Sequence, residues 1–151
     1  MKRSYWPWLA ARIFVGAIFA YAGYAKLLEP YENFRGAIAN YQGIPYGLTE
    51  PIARVLPWLE LFFGVSLILG YLPRVSALAL ALFSFCFLMV LGASNVLLDA
   101  GAKDCGCFGE GGIIHLTVHQ VFFLDLLNFF LGLKLYSLKE HPASLEKLLA
   151  A

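Results

Sequence analysis

Four apolar stretches dominate the chain: Trp8 to Leu28, Ile52 to Leu72, Val75 to Leu98 and Ile113 to Tyr136. A helix needs about 20 mostly apolar residues to cross the hydrocarbon layer of a membrane. Each stretch meets that length. Helices follow because lipid offers no partner to an exposed backbone N–H or C=O. The pattern predicts an all-α integral membrane four-helix bundle, one membrane domain over residues 1–151 with a short tail at 137–151. Trp6, Trp8, Trp58, Tyr71 and Tyr136 fall near span ends, where amphipathic rings suit the water–lipid boundary. Pro57 is expected in the first turns of the second span, where a missing N–H matters little.

The connections differ in length. Leu72-Pro73-Arg74 makes a tight hairpin between the second and third spans. Two longer polar segments remain, at 29–51 and 99–112. Within the first, Tyr31–Ala39 has mixed polarity that suits a short interfacial helix or a plain loop. Lys2 and Arg3 before an apolar run, with Ala20-Tyr21-Ala22 further on, imitate a secretory signal, but the run is long enough to span.

Composition agrees with this layout. The chain is 60% hydrophobic and only 14% charged, too little charge to cover a soluble domain of 151 residues. A formal charge of +1 leaves no basic patch for a nucleic acid partner. Membrane lipid is the expected surroundings.

Four spans put both termini on one side. The termini and the hairpin carry Lys2, Arg3, Arg74, Lys134, Lys139 and Lys147, against Lys26, Arg35, Arg54 and Lys103 on the other face. Basic residues favour the cytoplasmic side, so the termini are expected in the cytoplasm. Both longer segments then face outward from the cell (inner) membrane.

That topology gathers the candidate chemistry at one depth. Lys26 ends the first span, Glu60 lies a few turns into the second, and His115 and His119 open the fourth. The segment before the fourth span carries Asp104-Cys105-Gly106-Cys107-Phe108-Gly109. Cysteines at i and i+2 form a strained disulfide at best, which Gly106 makes possible. Strained, exposed disulfides exchange readily and close too small a loop to be useful staples. An extracytoplasmic compartment supports such chemistry. Two other readings stay open: a pair of inert thiols, or a metal clip with His115 and His119. One intervening residue is short of the usual zinc spacing, and no metal ligands are assigned.

Cys105 beside Asp104 makes the less stabilised thiolate, so Cys107 is the better attacking thiol. Cys86, in mid-span, is expected to be a buried packing group. A carboxylate inside the bilayer is expensive, so Glu60 is expected to be held protonated or paired with Lys26; it serves as a proton relay, or the two form a structural ion pair, or the side chain snorkels. Tyr24, His115 and His119 are the candidate cofactor-facing groups at the same level. Arg12 and Asp125 sit deeper, at similar depths, with Asn128 close by. They are expected to lock spans one and four together. Gly16, Ala17, Ala20, Gly23, Gly64, Ser66 and Gly70 suit close helix packing.

These residues carry a family resemblance covering roughly residues 9 to 136. Arg12-Ile13-Phe14-Val15-Gly16 through Ala22-Gly23-Tyr24-Ala25-Lys26-Leu27, and Pro57-Trp58-Leu59-Glu60 followed by Gly64, resemble the opening spans of DoxX-like membrane proteins. Asp104-Cys105-Gly106-Cys107-Phe108-Gly109 resembles the signature of the MauE branch, the methylamine-utilisation membrane proteins. The resemblance implies a redox-associated four-helix protein linked to disulfide formation in a periplasmic enzyme subunit. Its layout is similar to DsbB and vitamin K epoxide reductase, with cysteines at the outer mouth and a membrane quinone nearby. Those proteins carry Cys-x-x-Cys, often with a second relay pair. This chain has one pair, one spacer shorter, and Phe123-Leu124-Asp125 lacks an Arg common in the fourth span of MauE proteins.

The expectation is a thiol–disulfide oxidoreductase in which Cys105 and Cys107 exchange electrons with an extracytoplasmic thioredoxin-like protein and a membrane quinone. The competing expectation is a non-catalytic anchor subunit of a redox complex, with the cysteines as a clip. A transporter would need paired half-helices and internal symmetry that the chain lacks.

Overall fold

The computed structural model describes residues 6–39, 44–93 and 117–138. Its elements are helices: α1 (Trp6–Leu28), α2 (Tyr31–Ala39), α3 (Tyr46–Leu69), α4 (Pro73–Ala93) and α5 (Val118–Ser137). Helices α1, α3, α4 and α5 are long and apolar enough to cross a membrane. The short segment Tyr31–Ala39, which the sequence leaves between helix and loop, is the helix α2.

Helix boundaries follow local chemistry. α3 starts earlier than hydropathy suggests, at Tyr46, because Gly47, Thr49 and Glu50 are compatible with helix though not with lipid. Pro57 therefore lies in the interior of α3 and not in its first turns, as does Pro51. The α3 end is set by Gly70, whose φ of 71° lies in the left-handed region that favours a residue without Cβ. Gly70 N–H donates to the Leu67 carbonyl at 3.2 Å, and Tyr71 N–H to the Ser66 carbonyl at 2.9 Å. Together these close a Schellman cap three residues short of the expected Leu72. Gly70 thus ends a helix rather than packing two together. Pro73 opens α4, where its missing N–H leaves no bond unmade. At the start of α5, the Thr117 N–H donates to Gln120 Oε1 at 3.0 Å, half of a capping box.

Consecutive spans run antiparallel. α1 packs along α3 and α4 along α5, and these two pairs form the bundle. In the α1–α3 seam, a methyl group on Gly23 would sit 2.6 Å from both the Pro57 carbonyl and the Leu61 nitrogen. One on Gly64 would sit 2.6 Å from the Ala20 nitrogen, and one on Gly16 2.8 Å from the Gly64 carbonyl. Only glycine lets the two backbones approach this closely, and in lipid such packing contacts drive association.

Among the described residues the core has three parts. Val15, Phe19, Leu67, Ala77, Leu80 and Leu135 pack together towards the hairpin end. Ala22, Leu91, Val118 and Val121 pack towards the opposite end. Phe34 and Ile38 of α2 close over Ala53 of α3. Large apolar side chains such as Trp58, Phe62, Met89, Phe123 and Phe130 point outward, as lipid-facing residues do.

Candidate functional site

Lys26 and Glu60 meet inside the bundle. Lys26 lies in the last turn of α1 and Glu60 midway along α3, and the glycine seam brings the two helices close enough for their side chains to join. Lys26 Nζ donates to Glu60 Oε2 at 2.7 Å and to Oε1 at 3.0 Å. Both side chains are almost fully buried, at 1% and 2% exposure. The pairing expected from the sequence is therefore present, as a bidentate bond with both charges withdrawn from lipid.

Aromatic rings complete the enclosure. Lys26 Nζ lies 4.7 Å from the centre of the Phe34 ring and 5.6 Å from that of Phe87. A ring face carries partial negative charge, so it stabilises an ammonium while excluding water. Phe34 belongs to α2, which thus acts as a cap on the ion pair. Two arginines hold that cap to α3. Arg35 Nη2 donates to the Tyr46 hydroxyl at 2.7 Å, and the Arg54 guanidinium lies 4.6 Å from the Tyr31 ring centre while pairing with Glu50. Neither Phe34 nor Phe87 was singled out from the sequence, because an isolated Phe in an apolar run gives no signal of what it covers.

Beside the pair is a cavity of about 30 Å³ lined by Ile18, Phe19, Ala22, Phe87, Val121 and Leu124, with Lys26, Glu60 and Asp125 as its charged groups. Asp125 was expected to lock onto Arg12. Instead it faces the Lys26–Glu60 pair, while Arg12 Nη2 donates to the Ile68 carbonyl of α3 at 3.5 Å. The reason is helical phase: matched depth along two spans does not fix which face a side chain occupies. Asn128, also expected at that depth, is buried with both amide atoms lacking a hydrogen-bond partner among the described residues.

The other candidates are placed as follows. Tyr24 is 54% exposed and lies outside the cavity lining. His119 is exposed in the first turn of α5. Cys86, expected to be a buried packing group, is exposed on α4 beside the exposed Phe85, because the depth of a residue along a span does not fix which side of the helix it occupies. Cys105, Cys107 and His115 lie outside the described residues. Among the described residues, no cluster of His, Cys, Asp and Glu has the makings of a metal site. A cavity of about 30 Å³ is large enough to admit water.

Four apolar helices enclosing a buried ion pair define a multi-pass membrane protein with a charged interior site. Over residues 4–137 the chain matches the family described as methylamine utilisation protein MauE, and it belongs to that family. It is 35% identical over 101 residues to methylamine utilization protein MauE of Methylophilus methylotrophus, a stretch covering 64% of this chain and 50% of the relative. The MauE proteins of Paracoccus denitrificans and Methylorubrum extorquens are 35% and 37% identical, over 68% and 66% of this chain and 54% and 53% of their own lengths. The chain thus spans about half the length of the curated relatives it matches. No solved structure matches it.

Proposed function

We propose that this chain is a membrane thiol–disulfide exchange protein serving methylamine utilisation as an accessory factor. Cys105 and Cys107 are its reactive pair. A thiolate of an extracytoplasmic thioredoxin-like or substrate protein attacks one sulfur of the Cys105–Cys107 disulfide. A mixed disulfide forms, and the displaced cysteine leaves as a thiolate and takes up a proton. The partner's second thiol then attacks the mixed disulfide. The partner gains a disulfide and the chain a dithiol, with two electrons and two protons transferred. The reverse sequence makes the chain a reductant, and a membrane quinone is the proposed counterpart for the two electrons.

One observation supports this reading above others. In sequence the cysteines fall between Ala93, the last residue of α4, and Thr117, just before α5, and these two helix ends lie at the end of the bundle where Lys26 and Glu60 are buried. Membership of the MauE family supports the metabolic setting. The reading puts both termini in the cytoplasm and the cysteine segment on the outer side of the inner membrane. The likeness to DoxX-like proteins belongs to the same proposal.

Alkylation and mass spectrometry of Cys105 and Cys107 in detergent, across a series of glutathione redox buffers, tests it. The two should titrate together as one two-electron couple, and either Cys→Ser variant should abolish exchange with a thioredoxin-like protein. Thiols that stay free in every buffer would sink the proposal. Assembly lost without any loss of exchange chemistry would favour an anchor subunit.

A further inference from the structure

The cavity beside the Lys26–Glu60 pair contains more negative than positive charge when all its groups are ionised. Lys26 supplies one positive charge, while Glu60 and Asp125 supply two negative charges. Both oxygens of Glu60 are engaged by Lys26. Asp125, half-buried in the middle of α5, makes no hydrogen bond or ion pair with any described residue. The other walls are apolar: Ile18, Phe19 and Ala22 from α1, Phe87 from α4, and Val121 and Leu124 from α5. From α2, Phe34 covers the ammonium. No further titratable side chain lines the cavity among the described residues, and His119 on α5 is exposed outside it.

An uncompensated negative charge is expensive at that depth and must be met by a bound positive one. The space is the right size for its carrier. A water molecule needs roughly 10–15 Å³ of such volume and two to four polar partners. A volume of about 30 Å³ bounded by Lys26, Glu60 and Asp125 meets both conditions.

We propose that this cavity is a hydrated proton-binding site, in which one exchangeable proton resides on the Asp125 and Glu60 carboxyls beside Lys26. Water in the cavity links Asp125 to the ion pair, so the proton passes between the two carboxyls without either entering lipid. The site takes its proton whether or not Cys105 and Cys107 exchange electrons, so it stands or falls apart from the cysteine chemistry. Asp125 thereby has a role that a helix-to-helix lock with Arg12 would not give it.

Dicyclohexylcarbodiimide, an apolar reagent that modifies protonated carboxyls in lipid-like surroundings, tests the site on the full chain in detergent or vesicles. Peptide mapping by mass spectrometry should find the adduct on Asp125 or Glu60. Its yield should fall several-fold as the pH is raised from 6 to 9, and sodium should leave it unchanged. Asp125→Asn should remove the Asp125 adduct while Cys105 and Cys107 still titrate. Absence of an adduct at both carboxyls across that pH range in the unmodified chain would overturn the proposal. Protection by sodium would overturn it in favour of a metal-cation site.

Discussion

The two helix pairs of the bundle solve the same packing problem differently. Along α1 and α3, Gly16, Gly23 and Gly64 place backbone against backbone, leaving no room for a methyl group. Along α4 and α5 the closest approach is milder: a methyl on Gly132 would sit 2.9 Å from the Ala81 side chain, and Phe85 packs on Phe129 with ring centres 5.7 Å apart. The first seam encloses a bidentate ion pair. The second holds buried polar atoms, on Ser84 and Asn128, that find no partner among the described residues. Close backbone approach shortens the reach between side chains, so a lysine and a glutamate on different helices can meet fully. At the wider seam, short polar side chains stay apart. The charged pair lies at the seam of close backbone contact, and the neutral Ser84 and Asn128 at the other.

The sharpest way to break this contrast is to remove half of the ion pair. Lys26→Met leaves Glu60 and Asp125 with no cation, and Glu60→Gln leaves Lys26 with Asp125 alone; breaking a buried pair destabilises by about 3–5 kcal/mol. Thermal unfolding in detergent, followed by circular dichroism, should show a large drop for each single variant. The double variant Lys26→Met with Glu60→Met should recover much of it, because neither member of the pair is left behind as a charge without its partner. If the double variant is as poor as the singles, the pair is needed for more than mutual neutralisation.

The glycine seam comes next. Gly23→Ala forces α1 away from Pro57 and Leu61, and overpacking of this kind destabilises by about 1–3 kcal/mol. Gly132→Ala should cost less, because the obstacle at the other seam includes a side-chain methyl rather than backbone alone. Equal losses at both positions, read from the same melting experiment, would show that the two seams are equally tight.

A smaller effect, of opposite sign, is expected at Asn128. Replacing an unpartnered buried amide with an apolar group of similar size, Asn128→Leu, should be neutral or stabilising by roughly 1 kcal/mol. A clear loss of melting temperature would show that Asn128 has a partner the bundle alone does not supply. The smallest effect is expected at the cap. Arg35→Ala removes an exposed bond to Tyr46 and should shift stability by only about 0.2–1 kcal/mol. Its clearer signature is faster amide hydrogen exchange in α2, since Phe34 then covers Lys26 less tightly.

How far the sequence reached depends on the kind of information each feature needs. The number and approximate extent of the spans follow from apolar length alone, because the membrane enforces it independently of neighbours. The Lys26–Glu60 pair was legible for the same reason: two opposite charges near the same end of two spans have few other ways to avoid lipid. Helix ends were read less well. Glycine at position 70 ends α3 through a backbone conformation, which hydropathy does not register, and the polar first turns of α3 look like loop.

What only the tertiary structure decided is which face each side chain occupies. Depth placed Arg12, Asp125 and Asn128 at comparable levels, but rotation about the helix axes turned Asp125 towards Lys26 and Glu60 and sent Arg12 to the Ile68 carbonyl. Rotation likewise put Cys86 on the outer surface, and folding of α2 over the bundle brought Phe34 to the ammonium. Apolar length is a property of one segment, whereas a shared cavity depends on the angular phase of several helices at once. The chain by itself therefore determined four spans and offered one ion pair among the ways to accommodate Glu60. The third charged wall of the cavity arises only when all four helices are packed.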